Sequence, residues 1–399
     1  MDMLKNLKPE RLDVVDALRG FALMGIVIVH FMEQYLGGPT PQEHNNYTQH
    51  IAADGIFEGI ANFLLRGKFF MLFSLLFGLS FTLQMDNAAK RDVNFSGRFL
   101  WRLIILFAIG FVHHLFYRGD ILTIYAVLGL PLVLFYRLPN RWVLAIAMAL
   151  MLGVARFFLP IPDFKVQSEQ WEKPEQTYWQ AVKSGSIGDV FYQNATRGSQ
   201  FKFDIQVGFF GRAYQTFALF LLGLLAGRMR LFENLAEKTP LFKRSLWWCL
   251  GSMLGLIAIG ALLFGVFHLD KVNEKAAMFV GVGLYDVMNL LQTGVYIFGF
   301  LLLFEKKAWW RRQILKLAPY GRMALTNYVM QSLIGTTIFF GFGFHLLGDI
   351  GATATVGMAI VVFIAQRYFS DWWLSRYQFG PLEWLWRSAT FLTIQPFKK

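Results

Sequence analysis

Ten apolar runs of membrane-spanning length divide this chain of 399 residues: 14–36, 67–86, 99–117, 120–138, 141–160, 212–229, 246–268, 278–304, 323–346 and 351–370. A helix needs about 20 apolar residues to cross a ~30 Å hydrocarbon core. A soluble fold has nowhere to bury ten such segments, and only 16% of the residues are charged, where a soluble domain carries about a quarter. The expected fold is therefore all-α: a polytopic membrane helical bundle of about ten transmembrane helices, with residues 1–399 forming one transmembrane domain. The short Tyr117-Arg118-Gly119-Asp120 connection makes the third and fourth spans an antiparallel hairpin. A further apolar piece, 381–394, is too short to span and reads as a C-terminal interfacial or re-entrant helix.

Charge sets the orientation. Lys90, Arg91, Arg98 and Arg102 lie between spans two and three, and Arg137 and Arg141 flank a later turn. Arg228, Arg230, Lys243 and Arg244 follow span six; Lys306, Lys307, Arg311, Arg312 and Lys316 follow span eight; Arg367, Arg376, Arg387, Lys398 and Lys399 close the chain. Every second connection is thus basic, which places those connections and both termini in the cytoplasm. The segments 37–66 and 161–211 then lie outside, the second as the one long polar insertion, with helix-like pieces at Tyr178–Lys183 and Asp189–Ala195. The formal charge of +12 reads as topology and anionic-lipid contact rather than nucleic-acid binding, because the basic residues are scattered through short connections. Lys5, Lys8 and Arg11 imitate a signal-peptide n-region, but Asp13, Asp16 and Arg19 follow, and the segment is expected to stay as the first span. Cys249 is the sole cysteine and permits no internal disulfide.

Within these spans a few ionisable groups stand out, and such groups are costly at bilayer depth unless they face protein or water. Arg19 and His30 are eleven positions apart, almost three helical turns, and so share one face at roughly 16 Å separation. Asp16 precedes Arg19 by one turn. His113 and His114 close span three, Asp120 opens span four, and Asp286, Asn289 and Gln292 follow one another along span eight. Span nine carries Thr326, Asn327, Gln331 and Ser332. Plainer roles exist for each: an interfacial ion pair for Arg19 and Asp16, a neutral bonded imidazole for His30, headgroup solvation for the histidine pair, and interhelical hydrogen bonding for Asn327 and Gln331. No metal is expected, since adjacent histidines diverge by about 100° on a helix.

The Arg19–His30 spacing resembles the arginine–histidine signature of the acyltransferase-3 family, and Leu12-Asp13-x-x-Asp16-x-Leu18-Arg19-Gly20-x-Ala22 is similar both to that family and to the YeiB family of bacterial membrane proteins. The run Gly67–Gly78, Gly110-x-x-His113 with Gly119-Asp120-Ile121-Leu122-x-x-Tyr125-Ala126-x-x-Gly129, Gly321–Tyr328 and Gly380–Arg387 resemble YeiB proteins more specifically. Together they cover nearly the whole chain. The resemblance implies a multi-pass protein of the bacterial cytoplasmic membrane. It also implies transfer of an acyl group such as acetyl from a cytoplasmic acyl-CoA (acetyl-CoA) to an envelope glycan or lipid acceptor, with membrane lipids as the other partners.

On that implication Arg19, with Asp16, is the donor-binding pair, because a guanidinium fork suits phosphates. His30 is the base or acyl carrier, Asp120 or Asp286 orients it, and His113 completes the catalytic set. The alternatives are a proton-coupled transporter or a lipid-binding membrane protein without enzymatic activity, which would use the same charges for passage, or a scaffold in which they only fix packing. The topology has its own test. In a Cys249→Ser background, Lys90→Cys is expected to be labelled by impermeant reagent only from the cytoplasmic side and Gln180→Cys only from outside; the reverse pattern overturns the assignment.

Overall fold

In the computed structural model, which describes residues 12–90, 94–158, 164–208 and 211–399 (backbone only for 164–171), each of the ten apolar runs contains at least one helix. Lys5, Lys8, Arg11 and Arg91 lie outside the described residues. The first four helices are α1 (Asp13–Met32), α2 (Ala52–Leu64), α3 (Lys68–Ala89) and α4 (Ser96–Phe116). After a tight connection come α5 (Leu122–Gly129), α6 (Leu132–Phe135) and α7 (Asn140–Met151). The insertion contributes α8 (Phe164–Ser184), α9 (Ile187–Gln193) and α10 (Ser199–Val207), and α11 (Arg212–Arg228) follows. The second half comprises α12 (Thr239–Gly260), α13 (Leu269–Val272), α14 (Glu274–Lys306), α15 (Ala308–Leu315), α16 (Ala318–Arg322), α17 (Ala324–Phe339), α18 (Ala352–Arg376) and α19 (Pro381–Phe391).

Among the described residues, six helical elements are long and apolar enough to cross a membrane: α1, the combined α2–α3, α4, α12 with its π-helical extension, α14 and α18. Joining Ile187–Val207 to α11 across a 61° bend makes seven. That is fewer than the ten expected, for local reasons. Pro131 follows Gly129 and splits the fourth run into α5 and α6, since proline donates no backbone hydrogen bond. α7, α11 and α17 have 12, 17 and 16 residues, short of the roughly 20 that one straight crossing requires. The segment 37–66 also holds more structure than expected, because α2 turns through Gly67 (φ +86°) into α3 as one apolar element.

α1 is the axis of the bundle. Leu18, Ala22, Leu23, Val27 and Phe31 are all buried, against α3, α14, α16, α17 and α18. Asp13 and Asp16 occupy its first turn, where carboxylates favour the positive end of the helix dipole. At its far end the insertion forms a packed cap. Tyr178, Trp179, Val182 and Val190 join Val27, Phe31, Tyr35, Phe339 and Phe340 in one buried cluster. On the opposite periphery α12 packs on α14 and leaves Trp247, Trp248, Leu254 and Ile257 exposed, the pattern of a membrane protein.

α3 and α11 pack backbone against backbone. A Cβ on Gly78 would lie 2.0 Å from the Phe220 carbonyl oxygen, and one on Gly223 2.0 Å from that of Leu75. Small residues that admit such contact drive helix association where lipid offers no hydrophobic gradient. Gly78→Val or Gly223→Val is therefore expected to lower stability by about 1–3 kcal/mol or more, read as a fall in melting temperature in detergent. Gly251→Ala, with nothing within 4 Å, should leave it unchanged.

Candidate functional site

α3, α4 and α17 enclose a cavity of about 230 Å³ that α1 and α19 complete. Its lining on α3 runs from Phe73 to Gln84, about three helical turns, so the cavity lies lengthwise in the bundle. Charge is confined to one end. Arg19, Arg102 and Arg322 converge there with Ser80, Gln84 and Glu383, whereas Phe73, Leu106, Leu122, Tyr125 and Tyr328 line the other.

The charged end is built by several elements. Arg19 donates to Asp16 Oδ1 at 2.5 Å and to Ser80 Oγ at 2.7 Å, so its guanidinium is held between α1 and α3. Arg102 lies over the Trp386 ring, 3.7 Å from its centroid, while Trp386 Nε1 donates to the Arg102 carbonyl at 2.8 Å. Glu383 of α19 accepts from the Leu325 and Thr326 backbone N–H groups and from the Thr326 hydroxyl, closing the first turn of α17. Burial pushes the Glu383 carboxyl up from its usual range, against those hydrogen bonds. Arg19, Arg102 and Arg322 thus line the head of an otherwise apolar slot, beside Glu383.

Beyond the apolar end sit two imidazoles. The Tyr328 ring, which lines the cavity, lies 6.1 Å from His30 and 5.1 Å from His113 between ring centroids. Tyr117 packs on both at 5.3 and 6.1 Å, and Tyr35 stands 5.5 Å from His30. His113 is oriented by a carboxylate, its Nδ1 2.8 Å from Asp120 Oδ1. Asp120 also accepts from the Leu122 and Thr123 backbone, the Thr123 hydroxyl and Lys202 Nζ. So many donors suit an ionised carboxylate, which accepts only, so the Nδ1 of His113 donates to it and Nε2 is the nitrogen left to face a ligand. His113 Nε2, His30 Nδ1 and the Tyr35 hydroxyl are buried without a hydrogen-bond partner among the described residues. An unsatisfied buried polar atom costs about 1–3 kcal/mol, so three in one place leave hydrogen-bonding capacity for a water or another polar group.

Of the residues singled out from sequence, Arg19 and Asp16 are brought to the charged end, and His30, His113 and Asp120 to the imidazole cluster. Asp120 engages His113 rather than His30. Asp286 goes elsewhere. It is ion-paired with Arg156, with Gln215 hydrogen-bonded to it and Arg212 nearby, so the expectation that it orients His30 gives way to a separate buried pair. Gln292 donates to the Phe63 carbonyl and Thr293 to that of Lys68, tying α14 to the α2–α3 corner. Asn327 donates to Tyr320 O and Ser370 Oγ, and Gln331 to the Tyr320 hydroxyl, holding α17 to α16 and α18. His114 is no solvated interfacial residue. It is buried, its Nε2 2.8 Å from the Asn194 carbonyl of the cap.

Arg102, Arg322, Glu383 and Lys202 were not singled out. Arg102 carried a signal, an arginine inside the run 99–117, but it was counted with the orienting charges of the preceding connection. Among the described residues no cluster of three His, Cys, Asp or Glu is placed to hold a metal.

Residues 226–393 match a family described as a protein of unknown function (DUF418). The chain is 31% identical over 411 aligned residues to the uncharacterized protein YxaH of Bacillus subtilis, covering 99% of this chain and 98% of that protein. It is 29% identical to an uncharacterized 39.9 kDa protein of Bacillus acidopullulyticus, over 96% of this chain and 94% of that one. The match to the uncharacterized protein YeiB of Escherichia coli is 25%, over 97% and 98%.

The carboxylate at the centre of the cluster is open to a direct test. Asp120→Ala strips His113 of its orienting partner and leaves Lys202 uncompensated. The expected loss is about 3–5 kcal/mol, measured by thermal unfolding in detergent. An unchanged midpoint would show that the Asp120 contacts hold nothing together.

Proposed function

This chain belongs to the YeiB family, and on that premise we propose that it is a membrane acyltransferase that accepts an acyl-CoA, acetyl-CoA in the simplest case, from the cytoplasm and acylates an envelope glycan or lipid. The observation that carries the reading is the continuity of one slot, cationic at its head and apolar along its length, with a carboxylate-oriented imidazole just beyond its far end. The family resemblance supports the same chemistry. In this reading the ten apolar runs together traverse a bacterial cytoplasmic membrane, with both termini cytoplasmic and the 161–211 insertion outside.

The residues fit such a donor. Arg19, Arg102 and Arg322 match phosphate groups in charge and fork geometry, and the phenylalanine-rich walls match an acyl arm. Bound there, the donor supplies an activated acyl thioester. His113 does the proton work. Asp120 holds its tautomer, leaving Nε2 to take a proton from the acceptor's hydroxyl or amine and afterwards return it to the leaving thiolate. His30, with Nδ1 unsatisfied beside it, hydrogen-bonds the reacting groups. The aromatic rings of Tyr35, Tyr117 and Tyr328 enclose both imidazoles and exclude water that would otherwise hydrolyse the thioester.

The buried Arg156–Asp286 pair favours the rival reading, a proton-coupled transporter. The assay separates the two. Membranes containing the protein are supplied with radiolabelled acetyl-CoA, and label is followed into envelope glycans and lipids. His113→Ala is expected to lower turnover by about 10²–10⁴-fold while donor binding persists. Arg19→Lys should raise the KM for donor with kcat little changed, because the ammonium lacks the fork. Absence of transfer to any acceptor, together with solute uptake that depends on Asp286, would replace the acyltransferase with the transporter.

A further inference from the structure

Two fully buried arginines of this protein are held by carboxylates. Arg156 is ion-paired with Asp286. Arg118, in a second cavity of about 360 Å³ in the cap, grips both oxygens of Glu175 at 3.1 and 2.8 Å. The stretch 305–316 is different. It carries Lys306, Lys307, Arg311, Arg312 and Lys316 but a single acid, Glu305, which is engaged with Arg311 at 2.6 Å. Lys306, Lys307, Arg312 and Lys316 are exposed and have no ion-pair partner among the described residues; Lys316 donates only to the neutral Gln313 amide oxygen. Trp309 and Trp310 stand among these cations, 52% and 37% exposed, with their rings edge to face at 4.7 Å.

Packing fixes where these groups lie. Lys307 is extended (φ −151°, ψ 147°) and ends α14, so α15 leaves in a new direction. Ile314 of α15 shares a buried cluster with Val14 and Val15 at the start of α1 and with Phe304 at the end of α14. Both α1 and α14 are long and apolar enough to cross the membrane. The place where one begins and the other ends is therefore a membrane boundary. Tryptophan favours that depth, where its ring meets hydrocarbon and its N–H meets the headgroups. Lysine and arginine at the same depth meet phosphate. Exposed rings alone would suit any lipid, and exposed charge alone would suit any dissolved anion. The two together match a surface that is anionic outside and apolar just beneath, which is an anionic bilayer.

We propose that α15 and its flanking lysines form a docking site for anionic phospholipid headgroups, in the cytoplasmic leaflet on the proposed topology and independently of acyl transfer. The purified full-length protein in detergent is titrated with phosphatidylglycerol and with phosphatidylcholine, and bound lipids are counted by native mass spectrometry. Phosphatidylglycerol is expected to bind at least about tenfold tighter, because each basic side chain beside an anionic headgroup adds to the attraction. Lys306→Gln with Lys307→Gln should cut that preference about five- to tenfold, and adding Arg312→Gln should bring the two lipids to parity. Lys271→Gln with Lys275→Gln removes the same charge from exposed positions near the other end of α14 and should change nothing. Trp309→Ala with Trp310→Ala keeps every charge and should weaken both lipids alike. Equal binding of the two lipids by the native protein, or a preference undiminished without Lys306 and Lys307, would overturn the proposal. So would an equal loss without Lys271 and Lys275, or unaltered binding without the two tryptophans.

Discussion

The Asp120 carboxylate is the contact on which the centre of this protein depends. It bonds His113 at the end of α4, the backbone that opens α5, and Lys202 from the insertion. Three segments distant in sequence are thereby held at one point, and one imidazole is left with a single free nitrogen. In a medium that offers no water to a stray charge, an acid can stay ionised only if donors surround it. The same requirement accounts for the cap: Lys202 and the Asn194 carbonyl satisfy Asp120 and His114 from outside the bundle. Structure and site chemistry are one arrangement here.

The two cavities differ in the charges that line them. At the head of the first, Arg19, Arg102 and Arg322 line the wall beside Glu383. In the second, Arg118 is neutralised by Glu175 and Arg197 stands opposite Asp204. The Arg156–Asp286 pair takes no part in either cavity's lining. Both partners are nearly dry, and removing one alone would leave the other without its ion-pair partner, at a cost.

Fine packing follows the same economy. Gly78 and Gly223 let α3 and α11 approach until backbone meets side-chain space, and Asn327, Gln331 and Gln366 bond across α16, α17 and α18. The interhelical hydrogen bonding open to Asn327 and Gln331 from sequence is the role they take. They are no less necessary for that, because a buried amide without partners is among the costlier defects a membrane bundle can carry.

The all-helical character, the membrane class and the positions of the apolar runs were legible in sequence, because apolar run length is a one-dimensional property that the bilayer reads directly. Which runs form one straight crossing was less so: Pro131 and Gly67 break or bend the backbone locally, and α7, α11 and α17 end early for want of residues. At the site, Arg19 with Asp16 was visible as a stripe on α1, and His113 with Asp120 as neighbours across a tight connection. The choice of Asp120 for His113, of Arg156 for Asp286, and of Arg102, Arg322 and Glu383 as companions of Arg19 was decided by the tertiary structure alone. Spacing along one helix determines which side chains share a face, but the partner of a buried charge comes from another helix, and only packing decides which helix that is.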